Sequence, residues 1–328
     1  MGPFEFLYWL GYGLDRKIGG RAAKSLPVEV VSIGNLALGG TGKTPLAIAL
    51  AQKARQRGFM PCVLTRGYKG KLKGPVTVTP DMSAEDAGDE ALLIARRGIP
   101  VVKSPDRYEA GLHALKMLTP SPDLFIMDDG YQHWRLKRDL NILLLNGKKP
   151  FGKGRLLPFG DLREPIREIK RADIIVLTKC GDIPESLLKE IRRYNPGAPV
   201  FAASYKPAGV ADLSGRTYPV DLLEGKDVYA FCGIGEPASF KETLIEAGAV
   251  LKGFRAFRDH QRYTPGDIEA LAREAKKTNA LWILTTEKDI IKLGRAGAGH
   301  LFHALIAGIK PPQAFYDEAF KRLAETPR

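Results

Sequence analysis

The stretch Gly34–Leu46, GNLALGGTGKTPL, decides the fold. A loop that cradles phosphates needs glycine backbone to let successive N–H groups converge on an anion, a lysine to neutralise charge, and a hydroxyl for a divalent cation. Gly39, Gly40 and Gly42, with Thr41 among them, supply the backbone; Lys43 supplies the ammonium and Thr44 the hydroxyl. The strict spacing GxxxxGK[ST] is broken at its first position by Ala37, and Pro45 withdraws an N–H from whatever follows. An ordinary Gly-rich turn is the competing reading, and the flanks weigh against it. VEVVSIGNL ahead reads as a buried strand and PLAIALAQKARQRG behind as an amphipathic helix closed by Gly58. Pro45 falls in the first helical turn, where a missing N–H leaves no intrahelical bond unmade.

Outward from the loop, strands and helices alternate. PCVLTRGY reads as a strand, SAEDAGDEALLIARRG as a helix with Ser83 and Asp86 at capping-box spacing, PVVKS as a strand, RYEAGLHALKML as a helix, and DLFIMDDG and NILLLNG as strands. This alternation predicts an α/β fold: a P-loop NTPase-like domain over 1–150 with a mostly parallel sheet covered on both faces. The pattern stops in KKPFGKGRLLPFGDLREP, giving a linker over 151–165. A second alternating series, from ADIIVLTK to ALWILTTEKDIIKL, predicts a smaller α/β domain over 166–328.

Fifty Lys and Arg against 37 Asp and Glu give a formal charge of +13, so an anionic partner is expected: nucleic acid, an acidic membrane surface or a phosphorylated substrate. Cys62, Cys180 and Cys232 are scattered without metal-ligand or disulfide spacing, which favours the cytoplasm. No apolar run is long enough to span a bilayer. At the N-terminus Phe4, Phe6, Leu7, Trp9 and Leu10 precede Arg16, Lys17, Arg21 and Lys24, without the basic lead or cleavage site of a signal peptide. That composition fits an interfacial helix beside anionic headgroups, and equally a first helix packed on its own domain.

A phosphate loop requires an acid at a neighbouring strand end to organise the metal, and LFIMDDG offers Asp128 and Asp129. An Asp-Gly turn is the plainer reading, but adjacent carboxylates repel unless a cation joins them. Asp89 and Glu90, in AGDE, lie within a predicted helix and His260 lies in FRDHQRY; each alone is unremarkable. Arg163, Arg167 and Lys170 fall on one predicted helix face, with Glu164 and Glu168 spaced to neutralise them as on a surface helix.

Taken together, GNLALGGTGKTP, LTRGYKG, AGDE, SPDRY, DDGYQHWRLKRDLNILLLN, LLPFGDLREP, RADIIVLTK, AFCGIGEPASF, FRDHQRYT and LTTEKD closely resemble the tetraacyldisaccharide 4'-kinase family of lipid A biosynthesis. That family's loop also carries the proline, whereas Asp161 stands where an uncharged residue is expected. The resemblance implies a peripheral enzyme on the cytoplasmic face of the bacterial inner membrane that uses ATP and Mg²⁺. It phosphorylates the 4'-hydroxyl of a lipid disaccharide 1-phosphate to give lipid IVA, with no nucleic acid and no obligate protein partner. It implies that Lys43 and Thr44 serve the loop, Asp128 and Asp129 the metal, and Asp89 the base with His260 as its partner. Glu90, Arg107, Gln132, His133, Arg163 and Glu164 follow as substrate or metal contacts. Because Asp89 and His260 fall in different expected domains, a hinge closing on ATP is expected. The rivals are a membrane-associated regulatory ATPase, which needs no base from a second domain, and a polynucleotide kinase, supported by charge alone.

Overall fold

The computed structural model describes residues 3–293 and 302–325. The chain opens with helix α1 (Pro3–Arg21), then β1 (Glu29–Asn35), α2 (Lys43–Gln56), β2 (Pro61–Thr65) and the short β3 (Val76–Thr77). Next come α3 (Ala84–Ala87), α4 (Asp89–Arg96), β4 (Val101–Lys103), α5 (Arg107–Met117), β5 (Leu124–Asp128) and β6 (Leu140–Asn146). A 3₁₀ turn at Ile166–Arg171 leads into β7 (Ile174–Thr178), α6 (Glu185–Tyr194), the long β8 (Val200–Asp212) and β9 (Thr217–Tyr218). The remainder is β10 (Asp227–Cys232), α7 (Pro237–Glu246), β11 (Val250–Ala256), α8 (Pro265–Lys277), β12 (Trp282–Thr286), α9 (Glu287–Ile290), β13 (Phe302–Lys310) and α10 (Gln313–Glu325).

All the strands join one sheet, in the order β11-β10-β12-β13-β8-β7-β6-β1-β5-β2-β4-β3, with β9 beside β8. Around β1 the pairing is parallel, with Ile33 opposite Asp128 on β5 and Asn35 opposite Leu144 on β6. The apolar runs VEVVSIGNL and DLFIMDDG are therefore buried on both faces, as central parallel strands require. Their carboxyl ends bring the phosphate loop and Asp128 side by side.

The expected boundaries are corrected here. Residues 166–178 do not begin the second domain, because β7 continues the first sheet in parallel register with β6. The changeover lies inside β8, whose Ala203 still pairs with Thr178 of β7 while Ser204 pairs antiparallel with Lys310 of β13. Nor does the second domain keep the C-terminus. The apolar face of α10, Phe315, Ala319, Phe320 and Leu323, is buried in the core that α2 covers, and Phe320 stacks on Phe59 at 5.5 Å. The 151–165 segment is packed rather than a free linker: Leu162 bridges Ala37, and the amides of Leu38 and Arg163 donate to Asp161 O and Leu36 O, each at 2.7 Å.

The helix expected across AGDE is broken. Gly88 takes φ 87 between α3 and α4, and a Cβ there would lie 2.8 Å from Tyr68 O, so only glycine fits. The break places Asp89 at the start of α4, where it is buried.

Candidate active site

The phosphate loop runs from Asn35 to the start of α2. Gly39 and Gly42 adopt φ of 116 and 85, which glycine alone takes without strain, whereas Ala37 does not enter that region. Ala37 is buried against Leu162, so its methyl is used where the strict motif has glycine. Asn35 shapes the loop from within: its Nδ2 donates to Ala37 O at 2.6 Å and to Thr41 Oγ1 at 3.1 Å. The first-turn amides of α2 have no intrahelical acceptors and are available to an anion.

Asp128 and Asp129, adjacent in sequence, are held by different partners. The Thr44 hydroxyl donates to Asp128 Oδ2 at 2.7 Å, while Asp128 Oδ1 is buried with no hydrogen-bond partner. Burial, then the charge of Glu90, push the Asp128 carboxyl up to about 7, with the Thr44 bond opposing. Asp129, at φ 56, turns to the cations: Arg163 Nη1 donates to both its oxygens at 2.9 Å and Lys43 Nζ lies 3.6 Å away. Burial favours its neutral form, but Lys43 and Arg163 outweigh that and hold it below the usual carboxylate range.

Arg107, buried, and His133, half-buried, stand behind this pair, with Arg107 Nε and His133 Nε2 lacking hydrogen-bond partners. Burial lowers Arg107 to about 10, so it remains cationic at neutral pH; burial and the Arg107 charge lower His133 to about 4, so it is neutral. Gln132 and Glu164 face inward. Gln132 Nε2 donates to Asn35 O at 2.8 Å and also to Glu164, whose carboxylate accepts from Tyr12 and Arg171 as well. Glu164 and Glu168 are fully buried, so the segment is no charge-laced surface helix. They draw Arg171 inward, while Arg167 and Lys170 stay exposed.

Across the cleft, His260 meets Asp89, with Nδ1 2.9 Å from Asp89 Oδ2. His260 Nε2 lies 3.2 Å from Lys288 Nζ. An ammonium only donates, so Nε2 accepts and the ring proton sits on Nδ1, donating to Asp89. Lys288 also faces Glu90 at 3.4 Å, and Lys292 lies 3.5 Å from Asp89. Burial raises Asp89, but the His260 hydrogen bond, Lys288 and Lys292 together bring it down to about 2. Lys292 is held by buried Asp289 at 3.0 Å, which also accepts from Gly233 N and the Thr286 hydroxyl. Sequence reasoning named neither Lys288 nor Lys292. The signal present was TTEKDIIK, a Thr–Asp helix cap with lysines four apart, which stood there only as the end of the second alternating series.

The cleft between these two walls has a volume of about 1550 Å³ and is lined by the loop, Asp128, Asp129, Gln132, Arg163 and His260. The model of the family described as LpxK, tetraacyldisaccharide-1-P 4'-kinase, matches residues 1–323. The chain belongs to this family. The tetraacyldisaccharide 4'-kinase of Syntrophus aciditrophicus is 39% identical over 318 residues, covering 88% of this chain and 83% of the relative. That of Aquifex aeolicus is 39% identical over 305 residues, covering 89% and 88%. The crystal structure of the "apo" form of LpxK from Aquifex aeolicus in complex with ATP aligns at a TM-score of 0.76 with 35% identity, covering 98% of each chain.

Proposed function

We propose that this chain transfers the γ-phosphoryl group of ATP to the 4'-hydroxyl of a tetraacyldisaccharide 1-phosphate, giving lipid IVA. The observation that carries the reading is the 2.9 Å contact between Asp89 and His260, a proton-accepting pair whose histidine lines the same cleft as the phosphate loop. A regulatory ATPase has no use for such a pair.

Lys43 and the amides at the start of α2 hold the outer phosphates. The residues present fit a Mg²⁺ ion: Thr44 and Asp128 supply two oxygens, Asp128 Oδ1 is buried without a partner, and phosphates complete such sites. When bound, the ion neutralises charge building up between the outer phosphates. Asp129 keeps Lys43 and Arg163 in place, and Arg107 adds positive charge behind them.

Asp89 receives the hydrogen of the acceptor hydroxyl as the new O–P bond forms and the bond to the β-phosphate oxygen breaks. A carboxylate held near 2 is a weak base, yet a largely dissociative transfer releases the proton late and asks little of it. Lys288 fixes the His260 tautomer, and His260 aims Asp89. Release of a bulky product past this contact requires the walls to part, and β8 at Ala203–Ser204 is the place to bend.

No helix among the described residues is long and apolar enough to cross a membrane. The exposed apolar face of α1, Phe4, Phe6, Leu7, Leu10, Leu14 and Ile18, together with Lys17, Arg21 and Lys24, supports a peripheral seat on anionic headgroups, whereas Arg16 is turned inward to Glu168. The face assigned is the cytoplasmic side of the inner membrane, where ATP is supplied.

The test is incubation with ATP, Mg²⁺ and detergent-dispersed tetraacyldisaccharide 1-phosphate, read by mass spectrometry. One added phosphate on the lipid is expected. ADP formation with the lipid unchanged overturns the reading in favour of the ATPase.

A further inference from the structure

We propose that Tyr12, Gln132 and Glu164 are positioning residues that let the docked N-terminal helix set the shape of the phosphate loop. The proposal rests on the nucleotide-binding reading of that loop and not on the membrane reading of α1.

The side of α1 that carries Tyr8, Tyr12 and Arg16 is docked on the rest of the chain. The Tyr12 hydroxyl donates to Glu164 Oε2 at 2.9 Å, and Arg16 Nη1 to Glu168 Oε1 at 2.7 Å. Glu164 is fully buried, and its other oxygen accepts from Gln132 Nε2. The same Gln132 nitrogen donates to Asn35 O at 2.8 Å, the last carbonyl of β1 before the loop. Asn35 then holds Ala37 O and Thr41 Oγ1. Three side chains thus connect a helix near the N-terminus to the inside of the phosphate loop.

A second branch starts one turn earlier on α1. The Tyr8 hydroxyl donates to Arg163 O at 2.9 Å, Arg163 N donates to Leu36 O at 2.7 Å, and the Arg163 guanidinium clamps Asp129, which faces Lys43. Both branches leave α1 from residues four apart, on the face opposite its exposed apolar side chains.

Glu164 touches no solvent, and its bonds to Tyr12, Gln132 and Arg171 account for it without any substrate contact. A buried carboxylate that loses one donor transmits the change, because its remaining partners must re-aim to satisfy it. Loosening of α1 therefore releases Gln132 and slackens the loop.

The experiment measures Mg²⁺-dependent binding of a fluorescent ATP analogue (mant-ATP) with no lipid present, for the full chain and for Tyr12→Phe, Tyr8→Phe, Gln132→Met and the Tyr12→Phe/Gln132→Met pair. Each single variant is expected to bind about three- to tenfold more weakly, the loss of one hydrogen bond. The pair is expected to bind no more weakly than Gln132→Met alone, because the two act in series. In turnover, Tyr12→Phe raises the KM for ATP and leaves kcat within about twofold, a split that general destabilisation does not produce. Unchanged affinity in Tyr12→Phe, or losses that multiply in the pair, overturns the relay while leaving the kinase reading intact. Failure of the unaltered chain to bind mant-ATP overturns the nucleotide reading and the relay with it.

Discussion

Asp128 at the end of β5 and Asp89 at the start of α4, the latter just behind the cleft wall formed by His260 and Glu90, are both buried carboxylates, and their environments drive them in opposite directions. Asp128 is pushed up to about 7 and Asp89 brought down to about 2. Burial acts with the same sign on both, so the partners decide. Asp128 has one neutral donor, Thr44, and two negative neighbours, Glu90 and Asp129, which the more distant Lys43 does not outweigh. Asp89 has His260, Lys288 and Lys292. The cations at this strand end are taken by Asp129, which leaves Asp128 with none in contact and fit for an incoming metal ion; the helix start at Asp89 already has its cations and fits a fixed reaction partner.

The largest effect that sharpens this contrast is expected from the loop. Lys43→Ala should lower kcat/KM about 10³-fold, read as phosphate incorporated into lipid. His260→Ala should lower kcat about 10²-fold with little change in the KM for ATP, because it works on the acceptor side. Asp128→Asn should raise the Mg²⁺ concentration for half-maximal rate at least about tenfold, whereas Asp89→Asn should not move it.

Smaller, and more discriminating, are the stability effects. In the presence of a chelator, Asp128→Asn should raise Tm by about 2–4 °C and Asp89→Asn lower it by a similar amount. Shifts of the same sign would break the comparison, since burial alone would then be in control. The pH dependence has matching signs. The native Asp89 carboxyl lies below the ordinary 3.8, so its contribution is full above that pH and is lost as pH falls through about 2. The native Asp128 carboxyl lies above 3.8, so the folded protein keeps a proton the unfolded chain has lost, and stability declines as pH rises toward about 7. Denaturant melts of the two Asn variants should each lose the corresponding pH segment.

Much of the nucleotide wall was legible in the sequence because local chemistry determines it. A strand, a glycine turn and a helix N-terminus make a phosphate loop whatever surrounds them, and Ala37 spoils nothing because its backbone never needs the left-handed region. The domain boundary was not legible, because it depends on which strand is the neighbour. PVFAASY reads as one strand, and nothing in it says that Ala203 and Ser204 face different partners. The amphipathic face of α10 is likewise plain in the sequence, but not the core it enters. Glu164 and Glu168 read as surface charges because i,i+3 spacing with arginine usually means a solvated helix; burial beneath α1 is a long-range fact. Lys288 and Lys292 escaped notice because their target, Asp89, lies about two hundred positions earlier in the chain.

The central claim is that Asp89 and His260 act as one unit across the cleft on a lipid hydroxyl. The most direct measurement is single-turnover phosphoryl transfer from ATP to the detergent-dispersed acceptor by Asp89→Asn, His260→Ala and the double variant at saturating nucleotide. The account expects each single variant to be slowed by a comparable factor and the double to be no slower than the worse single. Losses that multiply in the double variant, or a His260→Ala enzyme that transfers at the unaltered rate, would contradict it.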